Sequence, residues 1–529
     1  MRKPLKLLRG LAIAGALLLP ATSCKLNDFL NVNTNPNGPE TVSAQVYLPA
    51  MIYWMSVANP YEGRFVGRYT QMHLLCCSNP PSTWDRMGYD PTSDNGGIHW
   101  YITYWQLGQN LIDMINKSEA TQRWDVAGVG YLMKAWGWMS ATDTYGELPV
   151  KEAWDQTRYY FDYDTQDYAY TEVLRLIDKS IADLKRTDGI VDATTWRSFD
   201  KVYTGDRTKW LKAAYALKAM ALNHYSNKST YSPAAVMANV DSSFASNADD
   251  FLFPFPNNQP GVDGSFEGPS RGNFPSYRQT TFVLNLMNGT TLGTPDPRMT
   301  RMLSPSPDGL YRGYDINSTA TITPTTAAPM NLWGYASTPG LGLPTRYIFD
   351  DKSRFPFMTY AEMQFIKAEA AYRLGDKATA LTAYKNGISA HIDFVNSRNL
   401  DNGQTPTQIS AAEKTAFLAD ANIVPASAAA LTLSQIMVQK FIARWEWGFD
   451  EVWTDLRRYH YTDIDPATGK QVFPGFAIPT NLYPDNGSKP AYRIRPRYNS
   501  EYVWNIASLT SIGAMAADYH TKPTWIVNP

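Results

Sequence analysis

The sequence predicts a mainly α-helical protein: helix pairs stacked on one another, interrupted by a large irregular insert containing short strands. Three observations predict it. Apolar residues recur at i, i+3 and i+4 through segments before residue 225 and again through 358–459, which is the period of a helix with one buried face. Between them, residues 226–357 hold 15 of the 35 prolines, and the helical period disappears, as it must where proline removes backbone donors. The helical segments also come in twos joined by short polar turns, the pattern of αα-hairpins. A chain of 529 residues exceeds one simple core, and a prior of about 150 residues per domain suggests three units.

The chain opens MRKPLKLLRGLAIAGALLLPATSC. Arg2, Lys3, Lys6 and Arg9 precede an apolar run, residues 11–19, far short of the ~20 residues of a membrane span. Small residues Ala21, Thr22 and Ser23 follow, so residues 1–23 read as a signal peptide. Cys24, directly after them, resembles the acylated cysteine of a bacterial lipobox; a plain secreted protein is the alternative. An acyl anchor buries methylenes at ~0.8 kcal/mol each and needs more than one chain for stable attachment. The resemblance implies a diacylglycerol plus an amide-linked chain, palmitate being typical. Residues 24–40, rich in Asn, Pro and Gly, read as a lipid tether. No later apolar run is long enough to span a bilayer.

The first part of the helical scaffold is 41–225. A helix is expected from Thr41 to about Leu75, broken at Asn59-Pro60. An irregular aromatic loop, 78–100, follows. In 98–117, Ile102, Trp105, Ile112 and Ile115 share a face; in 124–142, Val126, Val129, Met133 and Trp136 do. Segments 168–186 (Tyr170, Val173, Ile177, Ile181, Leu184) and 208–225 (Trp210, Ala214, Leu217, Ala221) repeat the pattern. The insert, 226–357, is the expected ligand side, since long loops in a compact protein are usually functional. The second part of the scaffold is 358–460. Met363, Ile366, Ala370 and Leu374 form one stripe, Gly375 suits a left-handed helix end, and Asp376 can cap the next helix with Ala380, Tyr384 and Ile388. This hairpin is spaced like a tetratricopeptide unit. One long helix is expected over 433–459, with Met437, Phe441, Trp445, Phe449, Val452 and Leu456 in a stripe. Residues 461–529 read as irregular.

Composition and motifs exclude several chemistries. With the leader removed, 44 basic residues remain against 49 acidic ones, which offers no basic stripe for nucleic acid. The three cysteines are Cys24, Cys76 and Cys77; Cys76 and Cys77 could bridge only with strain, and a pair of buried thiols on a helix is expected. The six histidines are scattered, with no H-E-x-x-H, and neither a G-x-S-x-G elbow nor a phosphate-cradling loop occurs. His73 with Cys76 and Cys77 forms at most half a metal cluster, so a core role is expected; no metal or cofactor is implied. Asp463-Ile-Asp465-Pro-Ala-Thr-Gly469 starts like a calcium loop but lacks the later acids, which favours a hairpin turn. The acidic loop 90–97 stays open. Glu451, Asp455 and Arg458 can pair at helical spacing, so the charges of 444–458 read as structural.

At the helix carrying Arg444, Glu446, Phe449, Asp450, Asp455, Leu456, Arg457 and Arg458 the chain resembles the SusD/RagB family of outer-membrane nutrient-binding lipoproteins. Further matching stretches are Asn33-Thr-Asn-Pro-Asn37, Asp143-Thr-Tyr-Gly-Glu-Leu-Pro149, Asp296-Pro-Arg298, and Ala361-Glu-Met with Lys-Ala-Glu-Ala370. Their order covers nearly all of the mature chain and looks most like the second SusD-like subfamily. The resemblance implies a right-handed superhelix of four tetratricopeptide-like pairs. It also implies a lid on a SusC-like TonB-dependent transporter in the outer membrane, facing outside, with an oligosaccharide or peptide held between the two. The acidic residues that follow the acylated cysteine in such proteins are matched only by Asp28.

Sugars bind through flat aromatic faces plus a few directional hydrogen bonds. The loop 78–105 offers Trp84, Trp100 and Tyr101 beside Asp85, Arg86, Asp94 and Asn95, and the insert adds Tyr277, Asn331, Trp333 and Tyr335. These are the ligand-site candidates. Trp105, inside a helical stripe, is assigned to the core. Two other readings compete: a surface-anchored glycoside hydrolase or peptidase, for which no motif supplies a nucleophile or acid/base pair, and a structural partner of the transporter without its own ligand site.

Overall fold

A computed structural model describes residues 42–90, 92–190, 193–255, 273–318, 321–340, 343, 345–349, 353–402 and 408–529. The signal peptide, Cys24 and the tether lie outside the described residues. Four helix pairs form the scaffold. Helix α1 (Leu48–Tyr69) packs on a segment that begins as Ile98–Tyr101, widens to a π-helical turn at Ile102–Gly108 and continues as α2 (Gln109–Ala120). The second pair is α3 (Trp124–Tyr145) with α4 (Gln166–Lys185), the third α5 (Arg207–Asn223) with α6 (Pro233–Ser242), and the fourth α7 (Tyr360–Leu374) with α8 (Lys377–Asn402). Each pair also packs on the next, α2 on α3, α4 on α5 and α6 on α7, so the apolar faces merge into one core.

Local chemistry sets these elements. The stripes expected in α4 and α5 are buried throughout. A Cβ at Gly128 of α3 would come within 2.6 Å of Leu184, so the bare glycine lets α3 and α4 approach. Thr359 and Glu362 close a capping box at the start of α7, and Gly375 ends it at φ 89°. Asp376 then accepts the Thr379 amide at 3.0 Å and starts α8.

Several expectations are corrected. Helix α1 runs straight through Pro60, because burial of most of its length against the core outweighs the ~3 kcal/mol of a helical proline. It ends at Tyr69, and β1 (His73–Leu75) follows as a strand. Helix α6 lies inside the span read as irregular; Ser232 caps it and Pro233 sits at its first position. The long helix over 433–459 is two, α9 (Leu433–Ala443) and α10 (Phe449–Arg458). Between them Glu446 adopts φ 64°, its carboxylate 2.9 Å from His73 Nδ1. Cys76 and Cys77 are not helical thiols: they are bonded to each other in the turn after β1, with Cys77 exposed at φ 75°.

The charges of 444–458, all buried except the half-buried Asp450, fasten α9 and α10 to the scaffold. Arg458 Nη1 donates to Glu369 of α7 at 2.9 Å, Lys440 Nζ lies 2.8 Å from Asp455, and His224 Nε2 lies 2.8 Å from Glu451. Arg444 pairs with Glu362. Of the pairing expected at helical spacing, Asp455 with Arg458 is present, while Glu451 pairs with His224 and Lys440 on other elements. Strand β2 (Phe251–Pro254) pairs antiparallel with β4 (Arg354–Met358) at the neck of the insert. Strand β3 (Tyr277–Gln279) pairs with β1, with Leu75 opposite Tyr277. The stretch that starts like a calcium loop is a hairpin, β5 (Ile464–Asp465) with β6 (Lys470–Gln471); Asp465 accepts the amides of Leu433 and Ala467. No helix among the described residues is long and apolar enough to cross a membrane.

Candidate functional site

The pairing of β1 with β3 brings the insert against the end of α1 and leaves a cavity of about 440 Å³. Helix α1 supplies Arg64, Phe65 and Arg68, and the short turn Thr83–Arg86 supplies Thr83 and Trp84. The acidic loop supplies Asp90 and Asn95, the insert Asn273 and Tyr277, and the C-terminal region Tyr483. Arg64 lies with its guanidinium 3.8 Å over the Tyr61 ring, and its Nη2 has no hydrogen-bond partner among the described residues. Arg68 is held by Ser82 Oγ at 3.1 Å and by Asp85 at 3.7 Å. Burial pushes the Asp85 carboxyl up, and Arg68 only partly opposes it.

The loop 90–97 closes one side. Gly96, at φ 83°, faces Ile494 and Trp84 so closely that a Cβ would fall 2.7 Å and 3.1 Å from them. Tyr145 Oη donates to the Gly96 carbonyl at 2.6 Å. Asp94 accepts from Arg497 Nη2 at 2.5 Å and from the Asn499 amide at 2.9 Å, which ties the loop to the C-terminal region.

Three of the sequence candidates, Trp84, Asn95 and Tyr277, meet at this cavity. Trp84 does so only by an edge. It is 4% exposed, packed 4.6 Å from Phe65 and 5.3 Å from Tyr69, and offers no open platform. Tyr277 is also buried, stacked 4.7 Å from His73. Asp85 and Arg86 stand beside the cavity with structural partners; Arg86 donates to Asn481 and Leu482 and anchors the C-terminal region. Trp100 is core, packed among Tyr104, Tyr145 and Tyr163. In the insert, Trp333 is 1% exposed and stacked on Phe274, so a solvent-facing role is corrected to packing. Asn331 is buried and accepts the Tyr335 amide in a turn, and Tyr335 is half-buried. Neither lines the cavity. Tyr101 is half-buried on the outer side of the first helix pair.

The largest correction is Trp105, which is 72% exposed. Its stripe assumes 3.6 residues per turn, and the π-helical turn Ile102–Gly108 departs from that period. Arg64, Asn273 and Tyr483 were not singled out from the sequence. Arg64 sits on an ordinary helix face and the others in loops, and only the fold shows that they converge.

The arrangement suits recognition of a polar ligand: cations, amides and one carboxylate around aromatic edges. Among the described residues no group of three His, Cys, Asp or Glu could hold a metal ion. A second cavity, about 470 Å³, opens at Trp196, Arg197 and Arg207. There Arg207 is engaged by the Arg186 carbonyl, and the aromatic members Trp196 and Tyr203 are buried.

A family model described as "Starch-binding associating with outer membrane" (SusD-like_2) matches residues 36–484. The chain belongs to this SusD-like family. A SusD/RagB family protein from Bacteroides thetaiotaomicron shares the fold at TM-score 0.68 and 21% identity, over 92% of this chain and 99% of that one. A SusD homolog from Bacteroides fragilis aligns at TM-score 0.67 and 18% identity, over 92% and 100%. A chitin-binding SusD homolog from Flavobacterium johnsoniae aligns at TM-score 0.61 and 20% identity, over 92% and 97%. No curated protein matches the chain. Membership places the chain in a carbohydrate-binding family associated with the outer membrane, which supports a nutrient-binding outer-membrane protein.

Proposed function

We propose that this chain is a lipoprotein anchored to the outer membrane through Cys24, facing outside. In this reading it binds an oligosaccharide in the cavity at Arg64, Asn95 and Tyr277 and delivers it to a SusC-like TonB-dependent transporter. The observation that carries the ligand site is the convergence of the α1 end, the loop 90–97 and the insert on one cavity of about 440 Å³. That is a usual size for a small-molecule site, and Arg64 Nη2, without a hydrogen-bond partner among the described residues, and the Asn95 amide supply directional contacts. The chitin-binding relative supports a sugar as the ligand. Lipid anchoring keeps the cavity outside the cell while leaving the folded part free to meet a membrane partner.

Calorimetric titration of the soluble form starting at Lys25 tests the reading. Saturable heat with one glycan class, lost in Arg64→Ala and Asn95→Ala variants that keep their helical circular dichroism, is expected. Heat with a peptide digest instead would move the ligand class to peptides. Full-strength glycan binding by both variants would refute the cavity as the site.

A further inference from the structure

We infer that the outer side of the first helix pair is a second carbohydrate-contact surface. There the exposed Trp105 ring, nearly parallel to Tyr101 and joined to Trp54 and Tyr53 by edge-on contacts, takes a pyranose ring of an oligosaccharide that extends beyond the cavity. The inference rests on the carbohydrate reading of the neighbouring cavity and extends it to longer chains.

Helix α1 and the segment entering α2 run antiparallel, and one side of their seam is lined by aromatic residues. Ring centroids follow one another at 5.5 Å from Tyr53 to Trp54 and 6.2 Å from Trp54 to Tyr101, both edge-on at 67° and 81°, and at 6.4 Å from Tyr101 to Trp105. The last two rings are nearly parallel, 13° apart. Tyr53, Trp54 and Tyr101 are half-buried, and Trp105 is 72% exposed. A tryptophan left this open in water, next to other partly open aromatic rings, marks a contact surface rather than a core. The backbone puts it there: the π-helical turn buries Ile102 and Leu107 and turns Trp105 outward. Single π-helical turns of this kind recur at functional sites.

Polar groups stand along the same row. Arg497 lies 5.6 Å over the Tyr101 ring and bonds Asp94; Asn499 bonds Asp94 as well; Gln106 Nε2 donates to Tyr101 Oη at 2.6 Å. Arg497 covers the Tyr101 ring, so the open face is that of Trp105, and an apolar face with carboxylate, guanidinium and amide groups nearby matches a pyranose, which offers C–H bonds on its faces and hydroxyls at its edge. An aliphatic protein partner would need an apolar border instead. The row is also continuous with the cavity through the loop 90–97: Asn95 lines the cavity, and Asp94 next to it belongs to the row.

The test is calorimetry with chito- and malto-oligosaccharides of two and six units, on the wild type, Trp105→Ala, Trp105→Phe and Arg64→Ala. Because Trp105 is exposed, its removal leaves the core intact. In Trp105→Ala, affinity for the disaccharide is expected to hold while affinity for the hexasaccharide falls about tenfold; Trp105→Phe restores most of it. Unchanged hexasaccharide affinity in Trp105→Ala, with loss in Arg64→Ala, overturns the platform and leaves the cavity reading standing. Silence of the wild type toward both sugar series, with heat from a peptide digest, overturns the platform and the sugar class but keeps nutrient binding. Silence toward all three overturns both proposals.

Discussion

Replacing Glu62 by glutamine is expected to stabilise the fold at pH 8 and change it little at pH 5. Glu62 is buried in α1 beneath the loop at Gly96, and neither carboxylate oxygen has a hydrogen bond of good geometry. Burial pushes its carboxyl up to about 7 from an ordinary 4.5; His99 opposes the rise and Asp450 adds to it. The sign follows from proton counts. Between pH 4.5 and 7 the unfolded chain has released this proton and the folded chain still holds it, so stability falls as pH rises. Once both states are ionised the cost is about 3 kcal/mol, taking 1.36 kcal/mol for each tenfold difference in proton affinity. Glutamine keeps the shape and removes the titration. Urea unfolding followed by tryptophan fluorescence at pH 5, 6.5 and 8, as variant minus wild type, measures the difference. A gain under about 1 kcal/mol at pH 5 that grows toward about 3 kcal/mol at pH 8 is expected. A gain of the same size at all three values would refute the reasoning, because it would come from shape rather than from charge.

Other outcomes follow from the same structure. Glu369→Ala leaves Arg458 and Lys440 with Asp455 but without the second carboxylate they share in the core and is expected to cost about 3–5 kcal/mol in urea unfolding; an unchanged midpoint would show that the network contributes little. The opposing cations and His224 hold the Glu369 and Glu451 carboxyls below the usual range against the rise that burial alone would cause. Their contribution is full above about pH 4.5 and is lost as pH falls below it, so acid titration of the helical signal should begin there. Gly63→Ala places a Cβ 2.2 Å from the Phe449 ring and is expected to destabilise by about 1–3 kcal/mol; wild-type thermal stability would refute that contact. Trp84→Ala should cost about 3–5 kcal/mol and Trp105→Ala less than about 0.5 kcal/mol, which thermal unfolding of the two variants compares directly.

Helices with a single apolar stripe were legible in the sequence because their period is a direct image of one-sided burial. Helices α4, α5 and α7 lie where Tyr170, Trp210 and Met363 place them, and Gly375 ends α7 as its freedom at positive φ predicts. Helix α6 was hidden because a composition rich in Ser, Ala and Asn reads as loop until a partner covers Val236 and Val240. The break between α9 and α10 was hidden for the opposite reason. Both halves keep the apolar period, and the interruption depends on Glu446 reaching His73, a partner more than three hundred residues away.

The candidate site was less legible than the scaffold, and the reason is physical. An aromatic side chain has the same composition whether it fills a core or faces a sugar, so only the backbone around it decides. Trp84 and Trp333, in loops full of proline, are sealed by Phe65, Tyr69 and Phe274. Trp105, in an uninterrupted helical pattern, is open because a π-helical turn rotates it out. Buried charge follows the reverse rule. Arg444, Asp455 and Arg458 are costly to bury unpaired, so a dense run of both signs on an apolar helix already signals internal pairing. The strongest motif in the sequence therefore identifies the keystone of the fold, where α9 and α10 lock onto α7. The candidate cavity is assembled where α1, the loop 90–97, the insert and the C-terminal region meet.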